Sequence, residues 1–161
     1  MEALKYDHTQ RGKLHFIVHA TAILVVALVL TNISEEDTNI AVYISAGTTA
    51  VLEFFAFTCV TLRVYDDEDC IALRFGPIPL LKKRIPYAEI KSGEPSRSKL
   101  VDGWGIHYIR KRGWIYNLWG FECVQLTTID NRTIRIGTDD SAKLSAFLQT
   151  KISQSPQQHA E

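Results

Sequence analysis

The sequence predicts an α+β chain: an N-terminal transmembrane helical hairpin, then a bent β-sheet or partly open barrel capped by a C-terminal α-helix. Three observations predict it. Two long apolar runs fill the first third of the chain, short alternating segments bounded by turn residues follow, and one amphipathic stretch comes last. The averages conceal this, because 161 residues with Lys+Arg 18, Asp+Glu 18 and 46% hydrophobic describe an ordinary water-soluble chain. The length suits one domain with an appendage. The expected division is a cytoplasmic segment over 1–13, the hairpin over 14–62, the β domain over 63–152 and a flexible tail over 153–161.

From Leu14 to Ile33 no residue carries a fixed charge and fifteen of twenty are apolar. At about 1.5 Å per residue the run spans roughly 30 Å, the hydrocarbon thickness of a bilayer. The second run, from Ile40 to Phe57 or Leu62, has one interior charge, Glu53, and the acidic link Ser34–Asn39 joins the two. Two other readings compete: core helices of a soluble domain, and a cleaved signal peptide over the first run. A domain this small rarely buries two such helices on every face. The first run is long for a signal peptide, and no A-x-A site precedes the link. Lys5, Arg11 and Lys13 precede the first run, Arg63, Lys82, Lys83 and Arg84 follow the second, and the link has neither Lys nor Arg. The positive-inside rule then places both termini in the cytoplasm, at the inner (plasma) membrane of the cell.

Beyond Thr61 the period changes to two. Thr61–Tyr65 and Cys70–Phe75 alternate around the polar turn Asp66–Asp69, a hairpin signature, and Gly76-Pro77-Ile78-Pro79 ends it. Strands are expected around Lys83–Tyr87, Ile90–Glu94, Ile106–Arg110, Trp114–Leu118, Cys123–Thr128 and Thr133–Ile136. Leu144, Phe147, Leu148 and Ile152 recur at helical spacing, with Thr138 or Asp139 as the expected cap.

Several ordered blocks carry a family resemblance. Leu73-Arg74-Phe75-Gly76-Pro77, then Lys83-Arg84-Ile85-Pro86-Tyr87 with Glu89-Ile90, resembles the opening of bacterial pleckstrin-homology-like domains. Asp102-Gly103-Trp104-Gly105-Ile106, Arg112-Gly113-Trp114-Ile115-Tyr116-Asn117 and Arg135-Ile136-Gly137-Thr138-Asp139-Asp140 are similar to further blocks of a small membrane-attached group of that family, which begins with a two-helix hairpin. The resemblance implies a seven-stranded sheet closed by a C-terminal helix on the cytoplasmic face. It implies no activity. Eukaryotic phosphoinositide-binding relatives hold the head group with basic residues at the first hairpin turn, whereas that turn here is Asp66-Asp67-Glu68-Asp69. Four carboxylates repel phosphate, so no phosphoinositide is expected there.

Four groups of residues bear on function. Glu53 and His19 lie at similar depths from the same membrane boundary, and His15 shares a helix face with His19. An ionised carboxylate in a bilayer costs about 2.5–3.5 kcal/mol, so Glu53 must be accommodated. A proton or metal relay, a plain interhelical tie, and a carboxyl snorkelling to the interface all answer that cost. Ser45, Thr48 and Thr49 with Ala41 and Gly47 give the second helix small residues for close packing. Arg110-Lys111-Arg112 with Trp114 and Trp119 suits an anionic membrane surface or a partner, against a solvated turn with both indoles in the core or on a contact face. The glycines of Gly103-x-Gly105 suit a bend around Trp104, because Tyr108 stands where a dinucleotide fingerprint requires Gly.

Much is excluded. Zero net charge with no recognition motif argues against nucleic acid as partner. Cys59, Cys70 and Cys123 form no CxxC pair, His107 has no ligand at metal spacing, and no nucleophile elbow, HExxH or phosphate loop occurs. No cofactor is expected. The leading expectation is a non-enzymatic integral membrane protein whose cytoplasmic domain serves contact with another membrane or cytoplasmic protein, or self-association. A small transport or channel component using Glu53 and the histidines, and sensing of anionic lipid by the basic and Trp-bearing hairpin, are the alternatives.

Overall fold

In a computed structural model, which describes residues 5–32, 38–78, 80–99 and 102–154, the two apolar runs are helices α1 (Leu14–Asn32) and α2 (Thr38–Thr58). Most of the acidic link, and 155–161 of the expected tail, lie outside the described residues. The tail's first residues, Ser153 and Gln154, are still helical. α1 and α2 are about 28 and 31 Å long at 1.5 Å per residue, and both are apolar enough to cross a membrane. They pack along one narrow seam. Val18, His19, Ala22 and Val26 of α1 turn inward, as do Ala41, Ser45, Thr49 and Ala56 of α2. Small side chains on α2 let the backbones approach. Gly47 and Thr48, expected in that seam, face outward, and a Cβ added at Gly47 would meet nothing within 4 Å. They sit off the i, i+4 row that the seam follows.

The described residues form nine strands, against the seven that the resemblance implies; eight fall on the segments read from the sequence. The first sheet has the order β1 (Asp7–Arg11), β2 (Thr61–Asp67), β3 (Cys70–Phe75) and β4 (Leu81–Pro86), all antiparallel. A single 3₁₀ turn, Tyr87–Glu89, leads to the second sheet. Its members are β5 (Ile90–Arg97), β6 (Gly105–Ile109), β7 (Gly113–Asn117), β8 (Glu122–Thr128) and β9 (Thr133–Gly137). Their order is β5-β8-β9-β7-β6, and β7 and β9 run parallel. The ninth, β1, arises where the sequence shows little apolar alternation. Asp7-His8-Thr9-Gln10-Arg11 reads as a polar flank of the first helix. Its register with β2, Asp7↔Tyr65 to Arg11↔Thr61, joins the 1–13 segment to the β domain. Arg63 secures it with a two-pronged pair to Asp7, Nε to Oδ1 at 2.8 Å and Nη2 to Oδ2 at 2.5 Å.

One hydrophobic core lies between the sheets. Leu62, Val64, Ile71, Leu73 and Ile85 come from the first, and Ile90, Val124, Leu126 and Ile136 from the second. Helix α3 (Ser141–Gln154) closes it with Leu144, Phe147 and Leu148, and the Ser145 hydroxyl donates to the Gly93 carbonyl at 2.8 Å. The start of α3 differs from expectation. The Thr138 hydroxyl accepts the Asp140 amide at 3.1 Å, and Asp140 itself receives the first helical bond, from the Leu144 amide at 3.1 Å. Asp139 instead reaches back to β1, 2.5 Å from His8 Nε2.

Candidate functional site

The helical hairpin is continuous with a pair of neighbouring strands. β1 runs into α1 and α2 runs into β2, and the two junctions are tied by the Gly12 amide donating to the Val60 carbonyl at 2.9 Å. Trp119 sits beside this junction, because its carbonyl accepts the buried Gln10 side-chain amide at 2.9 Å. Its indole stacks on that of Trp104 at 4.7 Å, and Trp104 Nε1 donates to the Gly120 carbonyl at 3.3 Å. Gly103 and Gly105 both have positive φ, 64° and 101°, which folds the chain around Trp104 as the spacing suggests. Arg11, Lys13 and Arg97 line an open groove next to Trp119, with Glu122 and Asp139 also on its wall. This end of the domain therefore carries an aromatic pair and mixed charge where the two apolar helices leave it.

Within the hairpin, His19 Nδ1 lies 2.8 Å from Glu53 Oε2 and 3.0 Å from Oε1. The contact expected from equal depths is present, about 7.5 Å in from the ends of both helices. His15 stands edge-on to His19, with ring centroids 5.8 Å apart, and its buried Nδ1 has no partner among the described residues. A single satisfied carboxylate–imidazole pair fits an interhelical tie, which is worth about 0.6–2 kcal/mol in a membrane. Glu53→Gln, which keeps an acceptor for His19, is expected to change the thermal stability in detergent little, and Glu53→Ala to lower it by about the value of that tie. Proton flux of vesicles carrying either variant should match that of the unaltered protein. A changed flux would make the pair a relay.

The basic and aromatic hairpin does not form one cluster. Arg110–Arg112 make the β6–β7 turn, while Trp119 follows the far end of β7, roughly 17 Å along a five-residue strand. Arg110 and Lys111 are exposed in that turn, and Lys111 adopts φ 78°. Arg112 is committed elsewhere. Its Nη1 pairs with Oδ1 of Asp102, whose other oxygen lies 3.5 Å from Arg135 Nη1 and accepts the Lys99 amide at 2.6 Å. The Asp102 side chain is fully buried, and His107 Nε2 contacts the Asp102 carbonyl. Burial raises its pKa, but the Lys99 amide, Arg112 and Arg135 outweigh that and hold the carboxyl below its usual range. Sequence reasoning missed this knot. Its signal was present, however: Asp102, Arg112 and Arg135 open the three blocks Asp102–Ile106, Arg112–Asn117 and Arg135–Asp140, and the fold brings those three openings together.

Trp114 projects on the opposite face of β7 from Ile115, which is buried. It stacks on Tyr116 at 6.1 Å and meets Tyr108 edge-on at 5.7 Å. Tyr108 is 61% exposed, Trp114 45% and Ile106 39%, so the core face of the second sheet runs out into an uncovered aromatic surface on its edge strand β6. Gly113 carries φ 79° at the entry to β7, and Gly137 and Thr138 are buried at the end of β9, Gly137 against the Asn117 side chain. At the acidic first turn the nearby cations are engaged: Arg84 by Asp67 at 2.7 Å and Lys151 by Asp66 at 2.8 Å. Asp66 also accepts the Tyr87 hydroxyl at 2.7 Å, and burial followed by that bond raises the phenol's pKa. Comparison with protein-family models, with curated proteins and with solved structures finds no match.

Proposed function

We propose that this chain is an integral membrane protein whose two-helix hairpin holds a pleckstrin-homology-like β domain at the cytoplasmic face of the plasma membrane, where the domain serves protein contact or assembly without catalysis. One observation carries the reading. α1 and α2 turn Phe16, Ile23, Leu24, Ile44, Val51 and Phe55 outward, each more than half exposed, although the β domain has a closed core of its own. So large an apolar surface is costly in water and is suited to lipid. The pairing of β1 with β2 supports placing both flanks of the hairpin on one side, in accord with the positive charge on both. From Arg63 onward the chain has Lys+Arg 15 against Asp+Glu 12, which suits the anionic inner leaflet. The uncovered Ile106–Tyr108–Trp114 face on an edge strand is the surface fitted to a protein partner or a second copy.

Alkaline carbonate washing should leave the protein in the membrane pellet, and Glu94→Cys should react with an impermeant thiol reagent only after the cytoplasmic side is opened. Recovery in the soluble fraction would defeat the membrane reading. A photo-crosslinking residue at Tyr108 should give a discrete adduct in native membranes. Monomer alone at that position would count against assembly through β6. Lipid sensing by Arg110–Arg112 has less support, because Arg112 is consumed by Asp102.

A further inference from the structure

We infer that the β3–β4 turn is a third membrane contact: Ile78, Leu80 and Leu81 enter the headgroup–acyl boundary beside α2, and Lys82 and Lys83 meet lipid phosphates above them. The inference rests on the membrane reading of α1 and α2. Position comes first. The Gly76 amide donates to the Thr61 carbonyl at 2.7 Å, and a Cβ built on Gly76 would lie 2.7 Å from the Phe57 carbonyl oxygen and 3.1 Å from Thr58 Cα. The turn thus leaves the domain against the last turn of α2. With α2 in the bilayer, it has nowhere to go but the interface.

Exposure and charge agree with position. Ile78 is 54% exposed, Leu80 58% and Leu81 42%, an apolar tip that nothing else among the described residues covers. An apolar tip backed by lysines is the amphipathic order that an interface requires. Across the strands Arg74 lies directly opposite Lys82, two cations in register. Like charges facing each other across a ladder are unfavourable, and an anion between them removes the penalty. Arg74 Nη2 donates to the Pro77 carbonyl at 2.8 Å, which holds that cation over the turn. A bilayer supplies both the apolar phase and the anion, in the required order. The consequence is mechanical. The first sheet then meets the membrane along the whole of one end, at the β1 and β2 junctions and at the β3–β4 turn, and its tilt is set.

The full-length protein, with the half-buried Cys59 replaced by Ser, would carry an environment-sensitive fluorophore at Ile78→Cys or Leu80→Cys. Cys70 and Cys123 are buried and do not compete for label. Val51→Cys in mid-α2 and Ala88→Cys beyond β4 serve as references, in vesicles of phosphatidylethanolamine and phosphatidylglycerol containing a lipid with a nitroxide near the top of its chain. The labels at 78 and 80 should be quenched about twofold or more and that at 88 hardly at all, as expected for side chains seated about 5–10 Å into the boundary. Lys82→Glu with Lys83→Glu should reduce quenching at 80 in these vesicles and leave it unchanged in zwitterionic ones. If Val51 is quenched while 78 and 80 behave like 88, the turn is in water and the inference fails alone. Labels at 78 and 80 shielded from aqueous iodide yet not quenched by lipid would show a protein covering the turn, which also overturns it. An unquenched label at Val51 removes the membrane reading and this inference together.

Discussion

Asp102→Ala is expected to destabilise the β domain by about 3–5 kcal/mol, the cost of breaking a buried ion pair from one side. The carboxylate is the hub. It faces Arg112 and Arg135 and accepts the Lys99 amide, and its removal leaves two partly buried guanidinium groups without their counter-charge. The readout is the urea midpoint in detergent followed by tryptophan fluorescence. A loss below about 1 kcal/mol, the value of an exposed pair, would mean that solvent screens the knot. Acid provides a second test. The folded carboxyl titrates below its ordinary value, so its contribution is complete above the unfolded pKa near 3.9 and is lost as pH falls through the lower folded value. Stability should therefore fall more steeply below about pH 4 in the unaltered protein than in Asp102→Asn, which starts lower and has no such proton to bind.

Gly113→Ala is expected to cost a comparable amount, about 2–5 kcal/mol, from two sources. At φ 79° an L side chain is strained, and its Cβ would overlap the backbone carbonyl of Thr133 at the start of β9. That collision falls at the first rung of the parallel β7–β9 ladder, next to Trp114↔Ile134, where neither backbone can retreat without breaking register. Gly105→Ala separates the two sources. Its φ is 101°, yet an added Cβ meets nothing within 4 Å, so only the conformational cost of about 1–2 kcal/mol applies. Equal losses at the two positions, or a larger one at Gly105, would remove the steric argument. Amide exchange at Ile115 and Tyr116 should accelerate in Gly113→Ala and change little in Gly105→Ala.

What the sequence reveals follows from how far each signal extends along the chain. α1, α2 and α3 are legible because their apolar residues recur within one segment, and the Glu53–His19 contact is legible because two helices of known rise fix the depth of each residue. The hairpin of β2 and β3 is equally local. The rest depends on pairings that no window contains. β1 is held by a partner beyond two helices, and the second sheet interleaves β5-β8-β9-β7-β6, so its order cannot be read from consecutive turns. The same non-local geometry separates Arg112 from Trp119 and delivers Arg112 to Asp102. Adjacent basic and aromatic letters indicated one surface there, but strand length and a buried carboxylate divided them. Trp114 was ambiguous for a different reason: alternation assigns it a face, and only the edge position of β6 shows that this face is uncovered beyond the core.

The strand pair that brackets the helices also imposes an order of events during synthesis. β1 leaves the ribosome before either helix and β2 after both, so β1 waits for its partner while about 50 residues are made, roughly 3–10 s at about 5–20 residues per second. If α1 and α2 cross the bilayer as proposed, the first sheet can close only in a chain whose two helices have both crossed and returned. In that case a chain that inserts only one helix would leave β1 and β2 on opposite sides of the membrane, and the core formed by Leu62, Val64 and their neighbours would stay open. On the proposed membrane reading, folding of the domain would therefore report on insertion, and misinserted copies would expose unpaired strands to proteolysis.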